Sequence, residues 1–397
     1  MLAGLLFAVQ ETDDRPERLT ATLPFGGVTL IEYQARLLVE AGAAQILVLV
    51  ARLTPELLGA IARIGKRGVT VDAVRHISEA AAKLHPLSRV LVLADGLMTT
   101  ERVVATLAGA DGAGASDALL VMPQADAGSV FERLGGAQAW AGLARLDPRR
   151  LDEAARLPRD YDAQSTLLRV AEQARAVHVM LPPDALAHGH GIERNGAALE
   201  RRGRAVLAAI VSDRRGWFDR RVVAPLARWT LPAMIGRGWS GLGVGLTGAL
   251  LGIVGTAAAA GGFGAVGLAV AFVACLALAL GVALSSLRDE QRIERAQRAA
   301  GLAVPALAVL SLGGMESARA GNVAALALAV ALVTVAALAE RAGPERLRRW
   351  WWGNAAAYLL IVTVATVAGA PLIGVALAAL YAAATLAAAI EQLRRQA

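Results

Sequence analysis

From Trp239 onward, charge is confined to short islands separated by apolar stretches long enough to cross a bilayer. A spanning helix needs about 17 to 25 mostly apolar residues, because every backbone polar group must be satisfied inside the segment. Six stretches are read as spans: Trp239 to Ala260, Gly264 to Ser286, Ala299 to Met315, Gly321 to Ala339, Asn354 to Gly369 and Pro371 to Ile390. They predict an all-α six-helix transmembrane domain. With 56% hydrophobic and 18% charged residues, disorder is excluded.

The islands alternate in arginine content. Arg288 to Arg298 and Glu340 to Trp350 each carry four arginines, the segment before the first span is basic, and Gly261 to Phe263 is uncharged. This asymmetry predicts an inner-membrane, multi-pass protein with both termini cytoplasmic. It also accounts for much of the +7 net charge, so no nucleic-acid partner is inferred. Membrane lipids are the expected partners. Gly241, Gly243, Gly245, Gly248 and Gly252 in the first span allow close helix approach, which predicts a homodimer through the transmembrane domain. Trp350, Trp351 and Trp352 suit the headgroup layer. Phe218, Val222, Leu226, Trp229 and Ala233 share one helical face, predicting an amphipathic juxtamembrane helix that Pro225 and Pro232 shorten or break. The single cysteine, Cys275, excludes an intrachain disulfide.

The N-terminal half alternates short apolar runs with helical spacing. Leu2 to Val9, Gln45 to Ala51, Gly68 to Val74, Arg89 to Ala94, Ala118 to Met122 and Val177 to Leu181 read as strands. Leu30 to Gly42, Thr54 to Ile64, Ser78 to His85 and Thr99 to Leu107 read as helices. This is the βαβ pattern of a Rossmann-type α/β domain built on a parallel sheet. The expected organisation is an α/β domain over 1–185, a basic linker and juxtamembrane helix over 186–238, and the membrane domain over 239–397. Ligands of such sheets bind beyond the carboxyl ends of the strands, which directs attention to Gln10 to Phe25 and to Asp95 with Gly96. His188-Gly189-His190 offers two imidazoles without a third ligand, and a flexible linker is the expectation there.

Leu23-Pro24-Phe25-Gly26-Gly27-Val28-Thr29-Leu30-Ile31-Glu32-Tyr33, with Glu40-Ala41-Gly42 and the strand Ile46 to Val50, resembles the nucleotidyltransferases of the GT-A type. Val90-Leu91-Val92-Leu93-Ala94-Asp95-Gly96 is similar to the family's strand ending in a metal-binding aspartate. The resemblance implies Asp95 as a metal ligand and CTP as a candidate nucleotide. Where the family has a glycine-rich phosphate loop and a lysine, this chain reads Val9-Gln10-Glu11-Thr12-Asp13-Asp14-Arg15, and its first lysine is Lys66. Arg15 and Arg18 are the cations left to meet a nucleotide phosphate. An aspartate after a buried strand also serves as a turn or capping residue, so both roles stay open for Asp95.

A nucleotidyltransferase-like domain, the connector Arg214 to Arg228 and six spans resemble the bifunctional enzymes that make a CDP-alcohol and transfer its phosphoalcohol to a lipid. The CDP-alcohol phosphotransferase run D-x-x-D-G-x-x-A-R, laid on Leu287 to Arg295, retains Glu290 and Arg295, while the third-span aspartates fall on Ala308 and Leu312. The resemblance implies Glu290 and Arg295 as catalytic residues, Asp289 and Glu290 as metal ligands, Mg²⁺ or Mn²⁺ as cofactor in an active enzyme, and a CDP-alcohol as substrate. The residues alone favour a solvated cytoplasmic loop over Arg288 to Arg298, with helical charge pairs such as Glu294 with Arg298. Three readings follow: a catalytically degenerate protein of phospholipid or polar-lipid metabolism, an active transferase with rearranged ligands, and a small-molecule transporter.

Overall fold

The computed structural model describes residues 1–397 except 110–116, 129, 159–161, 213–215, 289, 343–348 and 396–397. It divides into two compact units, Met1–Ala209 and Ile210–Ala397.

The first unit is α/β. Its elements are β1 (Leu2–Ala8), β2 (Pro24–Phe25), β3 (Val28–Thr29), α1 (Leu30–Glu40), β4 (Ala43–Val50), α2 (Pro55–Gly65), β5 (Thr70–Val74), α3 (Ile77–Lys83) and β6 (Arg89–Leu93). There follow β7 (Leu97–Met98), α4 (Glu101–Ala108), β8 (Ala118–Pro123), β9 (Gln138–Leu146), α5 (Pro148–Ala155), α6 (Ala163–Gln173), β10 (Val177–Met180), β11 (Gly191–Ile192) and α7 (Gly196–Ser212). The main sheet runs β10-β8-β9-β6-β1-β4-β5. All six expected strands are in it. The expected parallel sheet is nevertheless mixed, because β9 lies antiparallel between β6 and β8. Its sequence, QAWAGLARL, lacks β-branched residues and contains Gly142 at φ +84°, so it gives little strand signal.

The helices start where the local chemistry dictates. Thr29 and Glu32 form a reciprocal capping box at α1, and Glu32 also receives a bidentate pair from Arg63 of α2. This buried carboxylate therefore ties two helices together. Its pKa lies below the ordinary value: burial raises it, and the hydrogen bonds from Arg63 and Thr29 more than offset that. The unit extends past the expected boundary at 185, because β11 pairs with β7 and carries the chain into α7.

The second unit is helical: a π-turn over Asp219–Val223, then α8 (Ala224–Gly236), α9 (Gly241–Ala260), α10 (Gly264–Leu287), α11 (Gln291–Ala320), α12 (Ala324–Ala342), α13 (Ala355–Val367) and α14 (Pro371–Arg394). Among the described residues five helices, α9 to α12 and α14, are long and apolar enough to span a bilayer, not the six expected. Helix α13 has 13 residues, about 20 Å at 1.5 Å per residue against a core of about 30 Å. The charged segment expected as a loop before the third span is largely the first turns of α11, where Glu294 pairs with Arg298 at 2.5 Å.

The glycines of α9 are used within the chain. A Cβ on Gly255 would fall 2.6 Å from the Ala271 nitrogen and 2.7 Å from the Gly267 oxygen of α10, and one on Gly252 would meet Val304 of α11 at 2.5 Å. Of the five glycines that suggested a dimer, Gly241, Gly245, Gly248 and Gly252 are covered by α10 and α11, while Gly243 is exposed, as are Leu242, Leu246, Leu250 and Ile253 of α9. Trp352 is buried, whereas Trp350 is exposed. The juxtamembrane face differs by a register shift: Phe218, Val223, Ala224, Ala227 and Leu231 pack on Val244, Leu284 and Ala357, and Trp229 is 85% exposed. The π-turn inserts the extra residue, and it ends at Val223, two residues before Pro225, whose ring would crowd a regular α-turn.

Replacing Gly255 by Ala should lower the stability of the full-length protein in detergent by about 1 to 3 kcal/mol, since the added methyl meets backbone that cannot move aside. Gly314→Ala, in α11 with nothing within 4 Å of the new methyl, should not lower it. Parallel thermal melts of the two variants check the contrast.

Candidate functional sites

Asp95 follows β6 at the carboxyl edge of the sheet, beside the end of β1. Its Oδ2 accepts the N–H groups of Val9 and Gln10, each at 2.8 Å, and its own N–H donates to Gln164 Oε1 at 3.1 Å. Oδ1 is buried and has no hydrogen-bond partner. Burial pushes its pKa up to about 6, against the pull of the Gln10, Val9 and Gly96 N–H groups and of the Arg194 charge. Gly96, at φ +74°, is closed over by the chain after β11: Glu193 donates its N–H to the Gly96 carbonyl at 3.0 Å, and a Cβ on Gly96 would lie 2.6 Å from the Glu193 oxygen. This geometry ties the ends of two strands together.

The segment after β1 folds onto itself. Thr12 donates its hydroxyl to the Arg15 carbonyl and its N–H to Arg18 O, while the Asp13 N–H donates to Arg194 O. Arg15 and Arg18 both line a cleft of about 520 Å³ with Glu17, Thr22, Thr54 and Glu56. Arg18 is partly committed there, donating to Thr22 O at 3.1 Å. Asp95 is not among the residues lining this cleft, so the expected metal ligand and the expected phosphate cations do not converge on it.

His190 is neither a ligand nor part of a flexible linker. It is fully buried, with Nδ1 2.9 Å from Thr99 Oγ1 and Nε2 2.8 Å from the Ala141 carbonyl. A carbonyl only accepts, so Nε2 carries the proton, and both ring nitrogens are engaged. Burial pushes its pKa down to about 4.

In the helical unit, Glu290 precedes α11 and lies at the start of α9, where its Oε2 is 3.2 Å from the Cβ position of Gly241 and has no hydrogen-bond partner. Arg295 is exposed on α11, its Nε donating to the Gln291 carbonyl. Asp289 lies outside the described residues. Among the described residues, which leave out Asp289, no group of three or more His, Cys, Asp or Glu side chains is placed to hold a metal ion.

A different set of residues surrounds space in this unit. Asp219, Gln297, Arg298, Glu340 and Asn354 line a cavity of about 220 Å³ whose floor includes Cys275 and Leu278. It lies at the arginine-bearing end of the bundle, where α12 ends and where α11 and α13 begin. Asn354 caps α13 and also donates to Asp219 Oδ2 at 3.3 Å. Gln297 spans to α9, donating to Gly241 O at 2.7 Å, and its Oε1 has no hydrogen-bond partner. None of these five residues was singled out as a site residue from the sequence. The available signal was Asp219, a lone carboxylate amid arginines in an otherwise amphipathic stretch.

No protein-family model matches the chain, and no curated protein matches it. Among solved structures, it superposes on one described as a glucose-1-phosphate thymidylyltransferase from Bacillus anthracis, in complex with sucrose, at 9% identity and a TM-score of 0.41, over 51% of this chain and 94% of that one. At that score the likeness carries no argument, and the architecture rests on the strand order itself.

Because the Asp95 pKa is raised in the fold, the folded state holds a proton there that the unfolded chain releases. Its contribution to stability is therefore present below about pH 4 and lost as pH rises through about 6. Asp95→Asn should remove this slope. The difference in unfolding free energy between the two proteins should change by up to about 3 kcal/mol between pH 4 and pH 7, read by denaturant titration.

Proposed function

We propose that this chain is a multi-pass membrane protein of phospholipid or polar-lipid metabolism, related to fused nucleotidyltransferase and CDP-alcohol phosphotransferase enzymes, that binds its ligands without turning them over. The observation that carries the reading is the fate of the acidic residues. Asp95 spends one oxygen closing the end of β1 under a covering strand, and Glu290 and Arg295 lie apart, one against α9 and one in the open. Diphosphate transfer needs several carboxylates around metal ions to neutralise and align the reacting oxygens. The cavity around Asp219 supplies a binding site of mixed polarity, and the cleft at Arg15 and Arg18 supplies cations where a nucleotide phosphate, such as that of CTP, would sit.

One observation favours an active transferase with rearranged ligands: Asp219 and Glu340 share a single cavity beside α10 and α11. A single experiment separates the two. Purified protein in nanodiscs, given Mg²⁺ or Mn²⁺, phospholipid acceptor and a panel of CDP-alcohols, should release no CMP above empty nanodiscs. Metal-dependent release abolished by Glu290→Ala with Arg295→Ala would place chemistry at the altered run, and release abolished by Asp219→Asn would place it in the cavity.

A further inference from the structure

The outward side of α8 and of the π-turn before it is cationic. Arg220, Arg221, Arg228, Trp229 and Arg237 are exposed there, whereas Phe218, Asp219, Val223, Ala227 and Leu231 of the same stretch are buried. Pro225, Arg228 and Trp229, at i, i+3 and i+4, share one side of α8. Among the described residues none of the four arginines makes an ion pair or a side-chain hydrogen bond. The acid of the stretch, Asp219, faces inward and accepts from Asn354 at 3.3 Å. Arginines elsewhere in the unit are compensated: Arg298 pairs with Glu294, Arg319 with Glu316 at 3.0 Å, and Arg395 with Glu391 at 3.0 Å.

The location of this face says what kind of anion it meets. Helix α8 packs on Val244, Leu284 and Ala357, at the arginine-bearing ends of α9, α10 and α13. It ends at Gly236, and the apolar helix α9 begins at Gly241. The four arginines are therefore held at the level where the chain enters the bilayer. Trp229 is 85% exposed among them, and Trp239, just before α9, is 53% exposed. An indole is favoured where its ring meets hydrocarbon and its N–H meets water. Bare indoles beside a spanning helix single out a membrane surface over a soluble polyanion.

Guanidinium groups present paired N–H donors that match two phosphate oxygens. A lipid whose phosphate is not neutralised by its own ammonium is attracted more strongly than a zwitterionic one. Resting on the multi-pass membrane reading above, we propose that the outward face of α8 binds anionic phospholipid headgroups of the adjacent leaflet, with Arg221 and Arg228 on lipid phosphates and Trp229 in the headgroup layer.

Native mass spectrometry on the delipidated full-length protein tests this, with phosphatidylglycerol and phosphatidylcholine of identical acyl chains as probes. Phosphatidylglycerol should bind at least tenfold tighter, and Arg221→Gln with Arg228→Gln should reduce the preference to within threefold. Both side chains are exposed, so the double variant should keep the wild-type melting temperature. Arg319→Gln, at the opposite end of the bundle, should leave the preference unchanged. Equal affinity for the two lipids, or a preference that survives the double variant, overturns the proposal. So does binding of a DNA oligonucleotide that the double variant loses while no lipid preference exists, since the face would then serve a soluble polyanion. Alkaline carbonate extraction of the full-length protein from vesicles tests the membrane reading separately. Release from the vesicles overturns that reading and this proposal together, whereas retention without a lipid preference overturns this proposal alone.

Discussion

The backbone-to-backbone approach of α9 and α10 is the constraint on which the helical unit depends. Lipid tails are as apolar as leucine, so burying oily side chains does not hold helices together in a bilayer; close packing does. Gly255 and Gly267 let the two helices meet at main-chain distance, and Gly245 and Gly248 extend that contact toward the arginine-bearing end. There Gln297 of α11 fits between Gly245 and Gly281 and bonds to Gly241 O. Helix α11 is thereby held where its next turn presents Arg298 and Gly301 to the cavity. The space around Asp219 is a consequence of glycines that do not line it.

The connector and the last helices complete its walls through polar contacts. Trp217 donates its indole N–H to the Tyr381 hydroxyl at 2.8 Å, and Tyr381 donates to the Trp351 carbonyl. This chain of bonds fixes the segment before α8 against α14 and the turn before α13, bringing Asp219 and Asn354 within reach of each other. A buried carboxylate is costly unless its oxygens are met by donors, which is why its surroundings are informative about what it meets.

In the α/β unit three buried polar side chains serve neighbouring backbone groups: Asp95 accepts N–H groups at the end of β1, Glu32 accepts one at the start of α1, and His190 donates to the Ala141 carbonyl within β9. The sequence could place Asp95 after a buried strand. It could not show that the chain around Glu193, nearly a hundred residues later, returns to cover the following glycine.

Local pattern and local chemistry made much of the architecture legible. Six strands and four helices of the first unit follow from apolar period and caps, and the apolar spans of the second follow from hydropathy. What escaped depended on partners distant in the chain. Strand β9 is a strand because β6 and β8 flank it, and the juxtamembrane face, displaced by one residue through a π-turn, packs on Val244, Leu284 and Ala357. The sequence by itself determined an α/β unit followed by apolar helices with arginine-rich connections, because period, propensity and charge are written residue by residue. Only the tertiary structure decided which carboxylates close strand ends and which face open space, because that depends on which backbone groups lie within about 3 Å of each oxygen.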